Sequence, residues 1–85
     1  MNYKINLTSF AHRQLDRLHG DSYNRVEFAI DSLSKNPQPK GCRKLEGVAD
    51  QWRIRVGEYR ILYTIDDVKS EISILKIGHR RDVYR

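Results

Sequence analysis

Hydrophobic residues recur at two different periods along this chain, and the change of period divides it. From residue 11 to residue 33 the spacing is helical: Ala11, Leu15 and Leu18 are separated by Arg13, Gln14, Asp16 and Arg17, and Tyr23, Val26, Ile30 and Leu33 follow. Each set lines one face of a helix. Thr8 or Ser9 is placed to cap the first helix by accepting a backbone N–H, and Gly20 closes it. Asp21 or Ser22 begins the second helix, and Asn36-Pro37 stops it, because proline disfavours helical geometry in the residue before it. From residue 50 onward the period is two. Trp52, Ile54 and Val56 alternate with Arg53 and Arg55, which sends apolar groups to one side of a strand and guanidinium groups to the other.

Gly57-Glu58 separates that strand from the next, at residues 59–65, by the two residues of a tight hairpin with glycine at its first turn position. If Ile61, Tyr63 and Ile65 join Ile54 in the core, Arg60 shares the face of Arg53 and Arg55. A last strand at residues 71–77 follows the turn at 66–70. Strict alternation puts Ile72 and Ile74 on one of its faces and Leu75 and Ile77 on the other. With helices on one side only, Leu62 and part of this strand form an uncovered apolar surface suited to a partner, unless the strand is central and buried on both faces. Residues 3–7 make a short first strand, and residues 37–47, punctuated by Pro37, Pro39, Gly41 and Gly47, an irregular linker. The order β-α-α-β-β-β describes one α+β domain over residues 1–85. Its antiparallel twisted sheet of about four strands carries the N-terminal α-helical hairpin on one face.

The formal net charge of +5 favours anionic partners such as nucleic acid, an acidic protein or a membrane surface, and is equally compatible with a solvated basic face. Cys42 is the single cysteine, so no intrachain disulfide forms and a reducing cytoplasm is the expected compartment. No run approaches membrane-spanning length, and the N-terminus lacks the apolar stretch of a signal peptide. There is no phosphate-cradling glycine-rich loop and no Cys/His set at zinc spacing, so neither cofactor nor metal is expected. Asp66-Asp67 reads as a structural turn, and His12 and His19 as solvent-side groups at the ends of the first helix without catalytic neighbours.

Antiparallel strands would return the tail, with His79, Arg80, Arg81 and Tyr84, to the neighbourhood of Arg53. Arginine forks bind two phosphate oxygens at once and stabilise the extra negative charge of a pentacoordinate phosphorane. His79 is suited to the proton transfer that RNA cleavage by its own 2′-hydroxyl requires, and Tyr84 to stacking a base or relaying a proton. On spacing alone, the plainer reading is that His79 and Tyr84 pack across the sheet edge.

Residues 52–63, Trp-Arg-Ile-Arg-Val-Gly-Glu-Tyr-Arg-Ile-Leu-Tyr, and 77–85, Ile-Gly-His-Arg-Arg-Asp-Val-Tyr-Arg, carry a specific resemblance. Residues 33–47, with Asn36-Pro37 and Lys44-Leu45-Glu46-Gly47, carry a looser one. The chain resembles the RelE branch of the RelE/ParE superfamily, the toxin halves of prokaryotic type II toxin–antitoxin pairs. The resemblance implies a metal-independent endoribonuclease that cuts translated mRNA in the ribosomal A site and leaves a 2′,3′-cyclic phosphate. It implies catalytic roles for Arg53, Arg55, Arg60, Arg80 and Tyr84. Relatives can have lysines at the positions of Arg53 and Arg55, and arginine stays protonated, so His79 joins the set as the nominated proton acceptor. Arg53, Arg55, Arg60, Arg80 and Arg81 are the expected phosphate contacts. The implied partners are an acidic cognate antitoxin, mRNA and the ribosome, with operator DNA reached only through the antitoxin complex and no membrane. The alternative is the ParE branch, a non-enzymatic inhibitor of DNA gyrase that typically lacks this arginine and tyrosine set.

Overall fold

The helical and strand periods separate in space as they do in sequence. In the computed structural model, which describes residues 2–47 and 50–81, strand β1 (Lys4–Leu7) leads into helices α1 (Ser9–Asp16) and α2 (Gly20–Leu33). Strands β2 (Arg43–Lys44), β3 (Gln51–Val56), β4 (Tyr59–Asp66) and β5 (Glu71–His79) follow. They form one sheet in the order β1-β5-β4-β3-β2. β1 runs parallel to β5, and the remaining neighbours are antiparallel.

The sheet is therefore mixed and five-stranded, where the sequence suggested an antiparallel one of about four. Side chains alternate in the same way in parallel and antiparallel pairs, so the pattern of β1 does not encode its direction relative to β5. β2 is two residues long and exposed, and has no hydrophobic alternation to reveal it.

Thr8 caps α1 as expected, its hydroxyl oxygen accepting the Ala11 N–H at 3.1 Å. The helix boundary differs, because α1 ends at Asp16 and Gly20 opens α2 rather than closing α1. Gly20 has φ +58, a left-handed conformation that glycine adopts without strain. The far end of α2 is tied to β1, with the Tyr3 N–H on the Ser34 carbonyl and the Ser34 hydroxyl on the Tyr3 carbonyl, both at 2.8 Å. The turn at 66–70 is structural, its Asp66 carboxylate accepting the Lys69 N–H at 3.0 Å.

Ala11, Leu15, Val26, Ile30 and Leu33 of the helices pack on Ile54, Ile61, Tyr63, Ile72, Ile74 and Ile77 of the sheet. Ile77 is on this face because β5 does not alternate strictly. Leu62 pairs with Lys76 while Tyr63 pairs with Ile74, so Leu75 is the extra residue of a β-bulge and all three isoleucines point at the helices. Residues at the start of the helical hairpin hold the bulge. The Thr8 hydroxyl donates to the Leu75 carbonyl at 3.2 Å, and the Gln14 side-chain oxygen accepts the Ile77 N–H at 2.6 Å.

Leu62 points to the side without helices, yet it is only 8 % exposed. Arg53 and Lys76 flank it in register, and their aliphatic stems are long enough to cover it. The expected uncovered apolar surface is consequently absent at Leu62. Among the described residues, no helix is long and apolar enough to cross a membrane.

Candidate functional site

The β3–β4 hairpin sets the register of the site. Gly57, at φ +59, takes the first turn position, and Glu58 stays out of the left-handed region, as a tight hairpin with glycine leading requires. Val56 then pairs with Tyr59, Arg55 with Arg60, Ile54 with Ile61 and Arg53 with Leu62. Directly paired residues share a face. Since Ile54 and Ile61 are buried under the helices, Arg53, Arg55 and Arg60 project from the other side.

β5 extends both rows, Gly78 standing beside Arg60 and Lys76 beside Leu62. One row is Arg55, Arg60 and Gly78, and the next, about 7 Å along the strands, is Arg53, Leu62 and Lys76. Gly78 contributes no side chain, so the first row ends on bare backbone beside the guanidinium groups. Strict alternation would put Lys76 with Ile72 and Ile74 in the core. The bulge brings it to the cationic face, which is why the sequence-based set of site residues missed it.

Arg60 is held at the turn, one of its terminal nitrogens donating to the carbonyls of Gly57 at 3.2 Å and Tyr59 at 3.0 Å. Arg80 lies one residue past β5, and its N–H donates to the Glu58 carbonyl at 2.8 Å, continuing the ladder by one step. Alternation returns it to the side of Arg60, where its Nε donates to the Glu58 carboxylate at 3.1 Å. Arg81 is exposed.

His79 stands apart from the arginine rows. It pairs with Tyr59, whose ring packs on the core side, and the two rings meet edge to face with centroids 6.1 Å apart. Its Nδ1 accepts the Arg81 N–H at 3.3 Å, and its Nε2 lies 3.5 Å from the Glu58 carboxylate. Tyr84 lies outside the described residues. The structure thus gathers Arg53, Arg55 and Arg60 on one face, sets Arg80 at its turn end, and joins His79 to that end through Glu58. Sequence reasoning gave Glu58 no role, because a glutamate at a hairpin tip carries no signal beyond solvation.

His12 pairs with Asp16 one turn along α1 at 3.2 Å, on the solvent side. Among the described residues, no three His, Cys, Asp or Glu side chains gather so as to hold a metal ion. Hollows open at the outer end of the arginine rows, where Arg55 borders them. Two of about 390 and 420 Å³ adjoin at Ala29 and Arg55, between α2 and the outer edge of β3. β2 covers that edge only at Trp52 and Arg53. Phe28, 74 % exposed, stands beside the opening with Arg25 and Lys40.

The family model described as the ParE toxin of the type II toxin-antitoxin system parDE matches residues 5–84. The chain belongs to the RelE/ParE toxin superfamily. This RelE/ParE toxin is 37 % identical to Toxin RelG of Mycobacterium tuberculosis, over 100 % of its own length and 99 % of that protein's. The RelE–RelB complex of Pyrococcus horikoshii OT3 superposes with a TM-score of 0.84 at 30 % identity, covering 98 % of this chain and 100 % of that one. The RelBE2 toxin–antitoxin complex of Mycobacterium tuberculosis gives 0.79 at 34 %, covering 94 % and 100 %.

Proposed function

We propose that this type II toxin is a metal-independent endoribonuclease acting in the cytoplasm on translated mRNA in the ribosomal A site. The ladder of Arg53, Arg55 and Arg60, with Arg80 at its turn end, carries the reading. Such an open cationic face suits a polyanion laid across it by a larger body.

In the reaction the 2′-oxygen attacks the adjacent phosphorus as the bond to the 5′-oxygen breaks, giving a 2′,3′-cyclic phosphate and a 5′-hydroxyl. A base takes the 2′ proton, and the departing 5′-oxygen gains one from solvent water. Arginine cannot accept a proton at physiological pH, so the ladder supplies charge for the phosphorane. His79, which stands on the Tyr59 side of the turn end and meets the arginine side through Glu58, is the nominated acceptor, with Tyr84 second. Placement of the 2′-hydroxyl in line with the leaving oxygen falls to the ribosome.

The RelE–RelB complexes of the relatives support a cognate antitoxin as the partner that neutralises the toxin. The hollows beside α2, with exposed Phe28 among Arg25, Lys40 and Arg55, suit an acidic segment with apolar anchors. Operator DNA is reached through that antitoxin.

The ParE description of the matching family favours a second reading, a poison of DNA gyrase. Purified toxin separates the two when incubated with ribosomes on a defined message and, in parallel, with gyrase and plasmid. The ribonuclease reading expects message cut at the A-site codon with cyclic-phosphate ends and the plasmid intact. Broken plasmid with intact message would reverse the order.

A further inference from the structure

We infer that Glu58 is a positioning residue, whose carboxylate fixes the tautomer of His79 and the direction of Arg80 together at the hairpin tip. The inference rests on the ribonuclease reading, and it names the group that aligns that site.

Gly57 turns the chain so that Glu58 meets the residues leaving β5. Three contacts then come from this one residue. Its carbonyl accepts the Arg80 N–H at 2.8 Å, and its carboxylate lies 3.1 Å from Arg80 Nε and 3.5 Å from His79 Nε2.

A neutral imidazole has one N–H and one lone pair. The Arg81 N–H pointing at Nδ1 requires the lone pair there, and the carboxylate beside Nε2 favours the proton there. Both neighbours select the same tautomer, and the edge-on ring of Tyr59 holds the imidazole plane. Nδ1 is then the atom that takes a proton, once the 3.3 Å bond from Arg81 gives way to substrate.

For Arg80, a bond at Nε directs the two terminal nitrogens away from Glu58, as a fork for phosphate oxygens. All three side chains are more than a third exposed, so their pairing contributes little to stability. What the cluster fixes is direction.

The test uses Glu58→Ala and Glu58→Gln in single-turnover cleavage on programmed ribosomes, with nitrogen-15 spectra of the His79 ring in the free toxin. Wild type is expected to show the Nε2–H tautomer. Glu58→Ala should mix the tautomers and slow cleavage at saturating toxin by about tenfold or more, with little change in the half-saturating concentration. Glu58→Gln, whose amide oxygen still accepts from Nε2 and from Arg80 Nε, should keep the tautomer and recover most of the rate. Either an unchanged rate or an unchanged tautomer in Glu58→Ala, with active wild type, would overturn the inference. Wild-type toxin that leaves the message intact would overturn the ribonuclease reading instead, while the spectra still report whether Glu58 sets the ring.

Discussion

Arg55 and Arg60 face each other directly across the β3–β4 hairpin, on the side of the sheet without helices. Like charges directly opposed destabilise a strand pair, so this arrangement works against the fold that displays it. Replacing Arg55 with threonine, a good strand former, should raise stability by about 0.2–1 kcal/mol. The same change should slow message cleavage by about tenfold or more. Urea denaturation and single-turnover cleavage on one preparation check the pair of effects.

The bulge at Leu75 decides which side chains of β5 join the site, and Gln14 helps to hold it by accepting the Ile77 N–H. Gln14→Ala leaves that donor without its partner in a part-buried position, at about 1–3 kcal/mol. Denaturation midpoints at constant slope measure it. Because the bulge also turns Lys76 to the cationic face, cleavage should fall with stability.

The Tyr63 ring is fully buried, and its hydroxyl donates to the Pro37 carbonyl at 2.7 Å. Burial pushes its ionisation well above the ordinary value of 10.0. A folded pKa above the unfolded one means stability that is complete below pH 10.0 and lost as pH rises beyond it. Tyr3, through its bond to Asp67, and Tyr23, through Glu27, are shifted in the same direction. Tyr63→Phe should destabilise the protein by about 1–2 kcal/mol near neutrality. It should also flatten the alkaline decline, as thermal midpoints between pH 8 and pH 11 will register.

Phe28 is an aromatic side chain that the fold leaves in water. Phe28→Ser should leave stability within about 0.5 kcal/mol. Binding of the proposed cognate antitoxin should weaken by about tenfold or more, since an aromatic anchor is lost. Calorimetry measures the affinity, and cleavage by the free toxin should stay at the wild-type rate.

The cationic face was legible in the sequence because its determinants are local. The alternation of Trp52, Ile54 and Val56 assigns Arg53 and Arg55 to a face, and a two-residue turn transfers that assignment to Arg60. Hidden features depend on residues far apart along the chain. The parallel pairing of β1 with β5 follows from the path through two helices, and β2 from a single neighbour. The bulge depends on Thr8 and Gln14, more than sixty residues from the strand they hold. Strict alternation failed there, and with it the placement of Ile77 and Lys76. The sequence carries no signal for the neighbours of the His79 ring, and only the ladder to Tyr59 shows that Glu58 stands between it and the arginine rows.

The claim that one face of the sheet cuts RNA is tested most directly by single-turnover cleavage on programmed ribosomes for two sets of variants. Arg53→Ala, Arg60→Ala and Arg80→Ala alter the face and its turn end, while Arg13→Ala and Arg17→Ala remove the same charge from exposed positions in and just after α1. Losses of about a hundredfold or more are expected in the first set and wild-type rates in the second. Equal losses in both sets, or none in the first, would contradict it.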